Sequence, residues 1–153
     1  MATAWRILKK RHLESAFNGE GARRYGGRWN SPGTSVVYAS ETRALCLLEV
    51  LAGIRSVKPL GAYVLIPATF DDSLVTSVAL ERLPNDWRQS PPPPSAQCLG
   101  DYWIDQKKSA ILRVPSAILP EEFNYLFNPA HPDFPHIQIG APEDLVIDPR
   151  LLR

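Results

Sequence analysis

Fifteen prolines among 153 residues constrain this chain more than any other feature. That is about 10%, roughly twice ordinary usage. Proline lacks a backbone N–H and clashes within a helix, so it ends or interrupts regular elements. Apart from one run, Pro91 to Pro94, most of the prolines punctuate short segments. This pattern predicts an α+β fold, mainly β, with two or three helices and ordered loops, and argues against a helical bundle. A chain of 153 residues is most simply one domain, spanning 1–153, and is long enough to bury a real core.

Local patterns fill in this outline. Residues 4–8 read as a first strand, and the β-branched and aromatic run 35–39 as a second. Between them, residues 13–32 are rich in glycine and lack sustained periodicity, which predicts a long loop of the kind that is functional or disordered. Ser40 is a good N-cap with Glu41 in the first turn, so a helix should run to Leu51 or Ala52 and stop at Gly53. Leu45, Leu48, Leu51 and Ala52 would share its apolar face. Residues 62–66 form a continuous apolar strand closed by Pro67, whereas 74–80 fit strand or loop. Residues 82–97, which include Trp87, read as a surface loop with polyproline character. A second helix is expected over 99–108, and strands over 110–114, 124–127 and 136–139.

Charge and cysteine content exclude several classes of function. Seventeen basic residues face 16 acidic ones, a net +1, so bulk electrostatics point to neither nucleic acid nor an anionic membrane. No apolar segment has signal-peptide or membrane-spanning length. Cys46 and Cys98 lie far apart and match no metal spacing, which predicts reduced thiols in a cytosolic protein. Cys46, among leucines, reads as a small buried hydrophobe and not a nucleophile. His12, His131 and His136 lack metal-binding company, so no metal site is expected.

A few residues stand out as candidates for chemistry. Glu49 has Leu45, Cys46, Ala52 and Gly53 as its helical neighbours, none able to pair with it. It is either a boundary glutamate reaching water or a carboxylate lining a pocket and stabilising developing positive charge. Arg28 follows Gly26-Gly27 and precedes Trp29. It fits a phosphate clamp beside approachable backbone amides, but local sequence alone favours a solvated basic loop. The glycine pattern is neither a Walker loop nor a Rossmann fingerprint. Tyr38 lies on the strand leading to the Glu49 helix, where it could share a pocket wall or be an ordinary strand tyrosine. Ser116 ends an apolar strand without a nucleophile elbow, which leaves a hydrogen-bonding or turn serine. Asn124 and Asn128 flank Tyr125-Leu126-Phe127 and fit turn or cap roles.

Together these segments resemble the RES domain, a family named for its Arg, Glu and Ser. The similarity runs through Trp5-Arg6-Ile7, Gly26-Gly27-Arg28-Trp29-Asn30, Val37-Tyr38-Ala39-Ser40 and Leu47-Leu48-Glu49. It continues through Gly100-Asp101-Tyr102-Trp103, Val114-Pro115-Ser116, Asn124 to Pro129 and Asp148-Pro149-Arg150-Leu151. The family comprises toxins of bacterial Xre–RES toxin–antitoxin pairs.

The resemblance implies an ADP-ribosyltransferase-like (diphtheria-toxin-like) fold, with NAD as substrate and no true cofactor. It implies cleavage of the nicotinamide–ribose bond by hydrolysis or phosphorolysis, with ADP-ribosylation of a protein as the alternative. Water, inorganic phosphate or a protein would be the acceptor. Carried over by position, Arg28 would hold the pyrophosphate or nicotinamide ribose, and Tyr38 would pack on nicotinamide. Glu49 would bind a ribose hydroxyl and support an oxocarbenium-like transition state, while Ser116, Asn124 and Trp29 would complete substrate binding. A cognate Xre-type protein antitoxin and a bacterial cytoplasmic setting are further expectations. A non-catalytic antitoxin-binding module is the alternative from outside enzymology.

Overall fold

The computed structural model describes residues 1–53 and 61–152. Eight strands form one mixed sheet: β1 (Ala2–Lys9), β2 (Val37–Ser40), β3 (Tyr63–Phe70), β4 (Val75–Ser77), β5 (Ile111–Pro115), β6 (Phe123–Phe127), β7 (Gln138–Ile139) and β8 (Glu143–Leu145). Their order is β4-β5-β6-β2-β1-β3-β7, with β8 also on β3. Among the described residues, only the β4–β5 pair is parallel. Three α-helices accompany them among the described residues: α1 (Glu20–Tyr25), α2 (Arg43–Gly53) and α3 (Pro94–Gln106).

Strand alternation distributes the core over both sheet faces. Tyr125 and Phe127 of β6 point to one face, where Phe70 meets their rings edge-on at 5.2 and 5.8 Å. Leu126, between them, points to the other and joins Trp29, Trp87, Trp103 and Val114 beneath α3. Ile7, Tyr63 and Leu65 pack with Cys46 of α2 in a third cluster.

The pairing of β1 is uneven, and this positions the site. With β3 it keeps register from Ala2↔Phe70 to Lys9↔Tyr63, but with β2 it shares only Trp5↔Ser40. Beyond that pair the strands part, leaving Arg6 and Ile7 facing Tyr38 and Ala39 across a split in the sheet. The split continues into a cleft.

Several expectations need correction. The glycine-rich loop contains the short helix α1, entered from Gly19 at φ 73° and left at Gly26 at φ 72°. Both glycines adopt a left-handed backbone that a side chain disfavours. Ser40 closes β2 and does not cap α2; Thr42 does so, its Oγ1 accepting from Leu45 N at 3.0 Å. Glu41 accepts from Phe123 N instead of occupying the first helical turn. Leu48 is 41% exposed, so the buried face of α2 is built on Leu45 and Cys46.

Proline placements also differ. β3 passes through Pro67 because its carbonyl, which accepts from Gly140 N, faces the edge between β7 and β8. The proline nitrogen shares that side, so no bond to β1 is lost. Trp87 is 9% exposed and stacks on Trp29 at 5.9 Å, which makes the 82–97 segment a packed wall and not a free surface loop. α3 starts at Pro94 within the proline run, where a missing N–H carries no penalty. The strand expected over 136–139 narrows to Gln138–Ile139, after a 3₁₀ turn at Phe134–His136.

Candidate active site

A cleft of about 660 Å³ opens at the split between β1 and β2. Arg28, Trp29, Tyr38, Glu49 and Asn124 all line it, together with Arg6, Ser40 and the α1 helix. Thus the loop after α1 delivers two of the residues singled out in sequence, and β2, α2 and β6 deliver one each.

The Arg28 wall is held mainly by side-chain-to-backbone bonds. Asn30, fully buried, donates from Nδ2 to the carbonyls of Ala22, Ser31 and Thr34 at 2.9, 3.2 and 3.0 Å. Its Oδ1 accepts from the Tyr38 hydroxyl at 2.6 Å, and that hydroxyl accepts from Trp29 N at 3.1 Å. Gly27 permits this approach, since a Cβ there would lie 2.7 Å from the Tyr38 oxygen. Asp101 of α3 accepts from Ser31 N at 3.0 Å and also from the Ser31 hydroxyl. Gly100 lets α3 rest directly on the loop, because a Cβ would lie 1.7 Å from the Trp29 carbonyl oxygen.

Arg28 itself is oriented by two carbonyls. Its Nη1 donates to Trp87 O and Gln89 O, both at 2.8 Å. Burial lowers its pKa and nearby Glu49 opposes that shift, so the guanidinium stays charged. Burial pushes the Tyr38 hydroxyl well above the usual tyrosine range and keeps it a neutral donor.

Glu49 is half-buried at the opposite wall. Its Oε1 accepts from Ser116 Oγ and from Asn124 Nδ2, each at 2.7 Å. Asn124 is oriented in turn by Ser40, whose hydroxyl donates to Asn124 Oδ1 at 2.7 Å. Ser116 is fully buried and accepts from Ile118 N and Leu119 N at 3.1 and 3.2 Å, so it stands behind the carboxylate and not on the cleft wall. The Trp29 indole, 2% exposed, likewise serves packing against Trp87 more than contact with the cleft.

Other candidates lie outside this constellation. Cys46 borders the cleft, but burial pushes its thiol up to about 11, which suits a protonated packing residue. Asn128 caps a turn by accepting from Ala130 N at 3.0 Å. Among the described residues, no group of three or more His, Cys, Asp or Glu could hold a metal ion. Among them, also, no helix is long and apolar enough to cross a membrane. Sequence reasoning passed over Asn30, Arg6 and Ser40 as site residues. All three stand in segments that carry the resemblance, but only the fold shows Asn30 buried and Ser40 opposite Asn124.

A family model described as the RES domain matches residues 3–148. The chain belongs to the RES domain family. It is 34% identical over 148 residues to Toxin Res of Yersinia enterocolitica, covering 96% of this chain and 97% of that protein. It is 36% identical over 155 residues to the Prs ADP-ribosylating toxin of a Sphingobium strain, covering 97% and 96% respectively. The fold is similar to that in the crystal structure of the M. tuberculosis MbcT–MbcA toxin–antitoxin complex, with a TM-score of 0.79 at 22% identity. That likeness covers 99% of this chain and 86% of the other.

Proposed function

We propose that this RES chain is the toxin of a bacterial toxin–antitoxin pair and consumes NAD by cleaving the nicotinamide–ribose bond. The observation that carries this reading is the Glu49 carboxylate, fixed through one oxygen by Ser116 and Asn124 in a cleft shared with Arg28 and Tyr38. The split sheet beneath the cleft favours an ADP-ribosyltransferase-like fold as its framework.

Nicotinamide is cationic while bound to ribose, so it departs as a neutral base without a general acid. The ribosyl carbon becomes electron-poor as the bond breaks. A preorganised carboxylate stabilises that charge, and its fixed position removes reorganisation from the barrier. Arg28, pinned through Nη1, would place the rest of its planar fork on the pyrophosphate. Tyr38 would offer its ring to nicotinamide while its hydroxyl stays committed to Asn30. Water then adds to the ribosyl carbon and releases a proton, giving ADP-ribose; inorganic phosphate in its place gives ADP-ribose 1-phosphate.

A second reading is transfer of ADP-ribose to a protein. It is favoured by the 36% identity to a relative named as a Prs ADP-ribosylating toxin. The solved complex of the structural neighbour supports a protein antitoxin as partner, which we take to be of Xre type and to act in the bacterial cytoplasm.

Incubating the purified chain with NAD, with and without inorganic phosphate or a cell protein fraction, tests these readings. Free nicotinamide with ADP-ribose or its 1-phosphate is expected. ADP-ribose appearing only on a protein would move the assignment to the second reading. Intact NAD in every mixture would rule out both and leave a non-catalytic antitoxin-binding module.

A further inference from the structure

Between the two carbonyls that hold Arg28 stands another arginine, Arg88. It is exposed and forms no ion pair among the described residues. Its Nε instead donates to the carbonyl of Ala117 at 3.0 Å, 29 residues away in sequence. Ala117 lines the cleft, as does Pro92 of the Arg88 segment, whereas Arg88 itself does not. The bond therefore joins the two walls. Arg88 belongs to the turn that orients Arg28, and Ala117 directly follows Ser116, which fixes Glu49.

Both ends of this bond are anchored, so a displacement at one is passed to the other. On the Arg28 side, Trp87 N and Gln89 N donate to Pro84 O and Asp86 O at 3.1 and 3.0 Å. Asp86 accepts from Ser95 Oγ of α3 at 2.6 Å, and the Trp87 ring is stacked on Trp29. On the Glu49 side, Ser116 N donates to Glu122 O at 2.9 Å, and Ser116 Oγ accepts from Ile118 N and Leu119 N. One chain of hydrogen bonds thus runs from the Arg28 guanidinium through Arg88 to the Glu49 carboxylate. Behind burial, the Arg88 cation is a further and smaller cause of the lowered Arg28 pKa, so the two guanidinium groups lie close together. Holding like charges near each other is unfavourable, which a purely solvating side chain would avoid.

We propose that Arg88 is a positioning residue that sets the spacing between Arg28 and Glu49, its bond to Ala117 strapping the turn that holds one to the loop that holds the other. That this spacing governs NAD cleavage rests on the function proposed above; the strap itself does not.

Arg88→Ala and Arg88→Gln separate the bond from the charge, because the glutamine amide nitrogen stands where arginine Nε does along the side chain. Two readouts need no ligand. Amide hydrogen exchange at Ile118 and Leu119 reports on the Glu49 wall, and the NMR order parameter of the Arg28 Nε–H on the other. Arg88→Ala should speed exchange at both amides by about threefold or more, the scale of one hydrogen bond, and lower the Arg28 order parameter. Arg88→Gln should stay close to wild type in both. For NAD, kcat/KM should fall by about tenfold in Arg88→Ala and by less than about threefold in Arg88→Gln, as expected when reacting groups lose their alignment. The proposal is overturned if Arg88→Ala leaves either wall unmoved, if Arg88→Gln matches Arg88→Ala, or if an active wild type and Arg88→Ala turn NAD over equally fast. A wild type that leaves NAD intact, with both walls loosened in Arg88→Ala alone, would instead defeat the functional reading and leave the strap standing.

Discussion

The two walls of the cleft are built in opposite ways. The Arg28 wall is largely irregular backbone, yet Trp29 is 2% exposed and Asn30 fully buried. The Glu49 wall is a regular helix, yet Leu48 is 41% exposed and Leu45 and Cys46 are its only buried residues. Regular secondary structure is thus a poor guide to which wall is better fixed. The loop is ordered by a buried amide, two close glycine contacts and an overlying helix; α2 is ordered by its own ladder and one narrow apolar seam. What fixes Glu49 is not its helix alone but the Ser116 and Asn124 donors that reach it from β5 and β6.

Substitutions that probe this contrast should fall in a definite order. Gly100→Ala should be the most damaging, because its Cβ would strike a backbone carbonyl that cannot move without shifting the loop. We expect a loss of about 3 kcal/mol in denaturant unfolding, at the upper end for overpacking. Asn30→Ala leaves three loop carbonyls without their shared donor, and should cost on the order of 2–3 kcal/mol by the same measurement. Thr42→Ala removes the α2 cap and should cost about 1 kcal/mol. Leu48→Ala should change stability by less than about 0.5 kcal/mol, since the site is exposed. If Asn30→Ala proved as mild as Thr42→Ala, the loop would not be the better-fixed wall.

How much of this was readable before the fold was known depends on the range of the interaction. β1, β2, α2, β5 and β6 were visible because β-branched, aromatic and helical spacing act within a few residues. α1 was not, since six residues entered from a left-handed glycine leave no periodic signal. β8 was missed, β7 was read two residues too long and β4 was left between strand and loop, because strands of two or three residues are defined by their neighbours in the sheet. The proline run concealed the start of α3, where Pro94 is a favourable first residue. Trp87 lay among polar residues and prolines, and only its stacking on Trp29 shows that it is buried. For the site, Glu49 was marked by the lack of a basic neighbour on its helix. Its partners, 67 and 75 residues away, carried no such mark. Asn30 stood in the sequence only as the end of the Gly26–Asn30 segment, and its role shows in the three carbonyls that converge on it.

Turnover of NAD by Glu49→Gln against wild type is the most direct measurement of the site's chemistry. Glutamine keeps an oxygen for Ser116 and Asn124 to donate to, so the fold and NAD binding should survive while the charge is lost. Loss of one preorganised electrostatic group should lower kcat by ~10² or more with the NAD dissociation constant nearly unchanged. A variant that consumes NAD at close to the wild-type rate would show that the Glu49 carboxylate does not stabilise the reacting ribose.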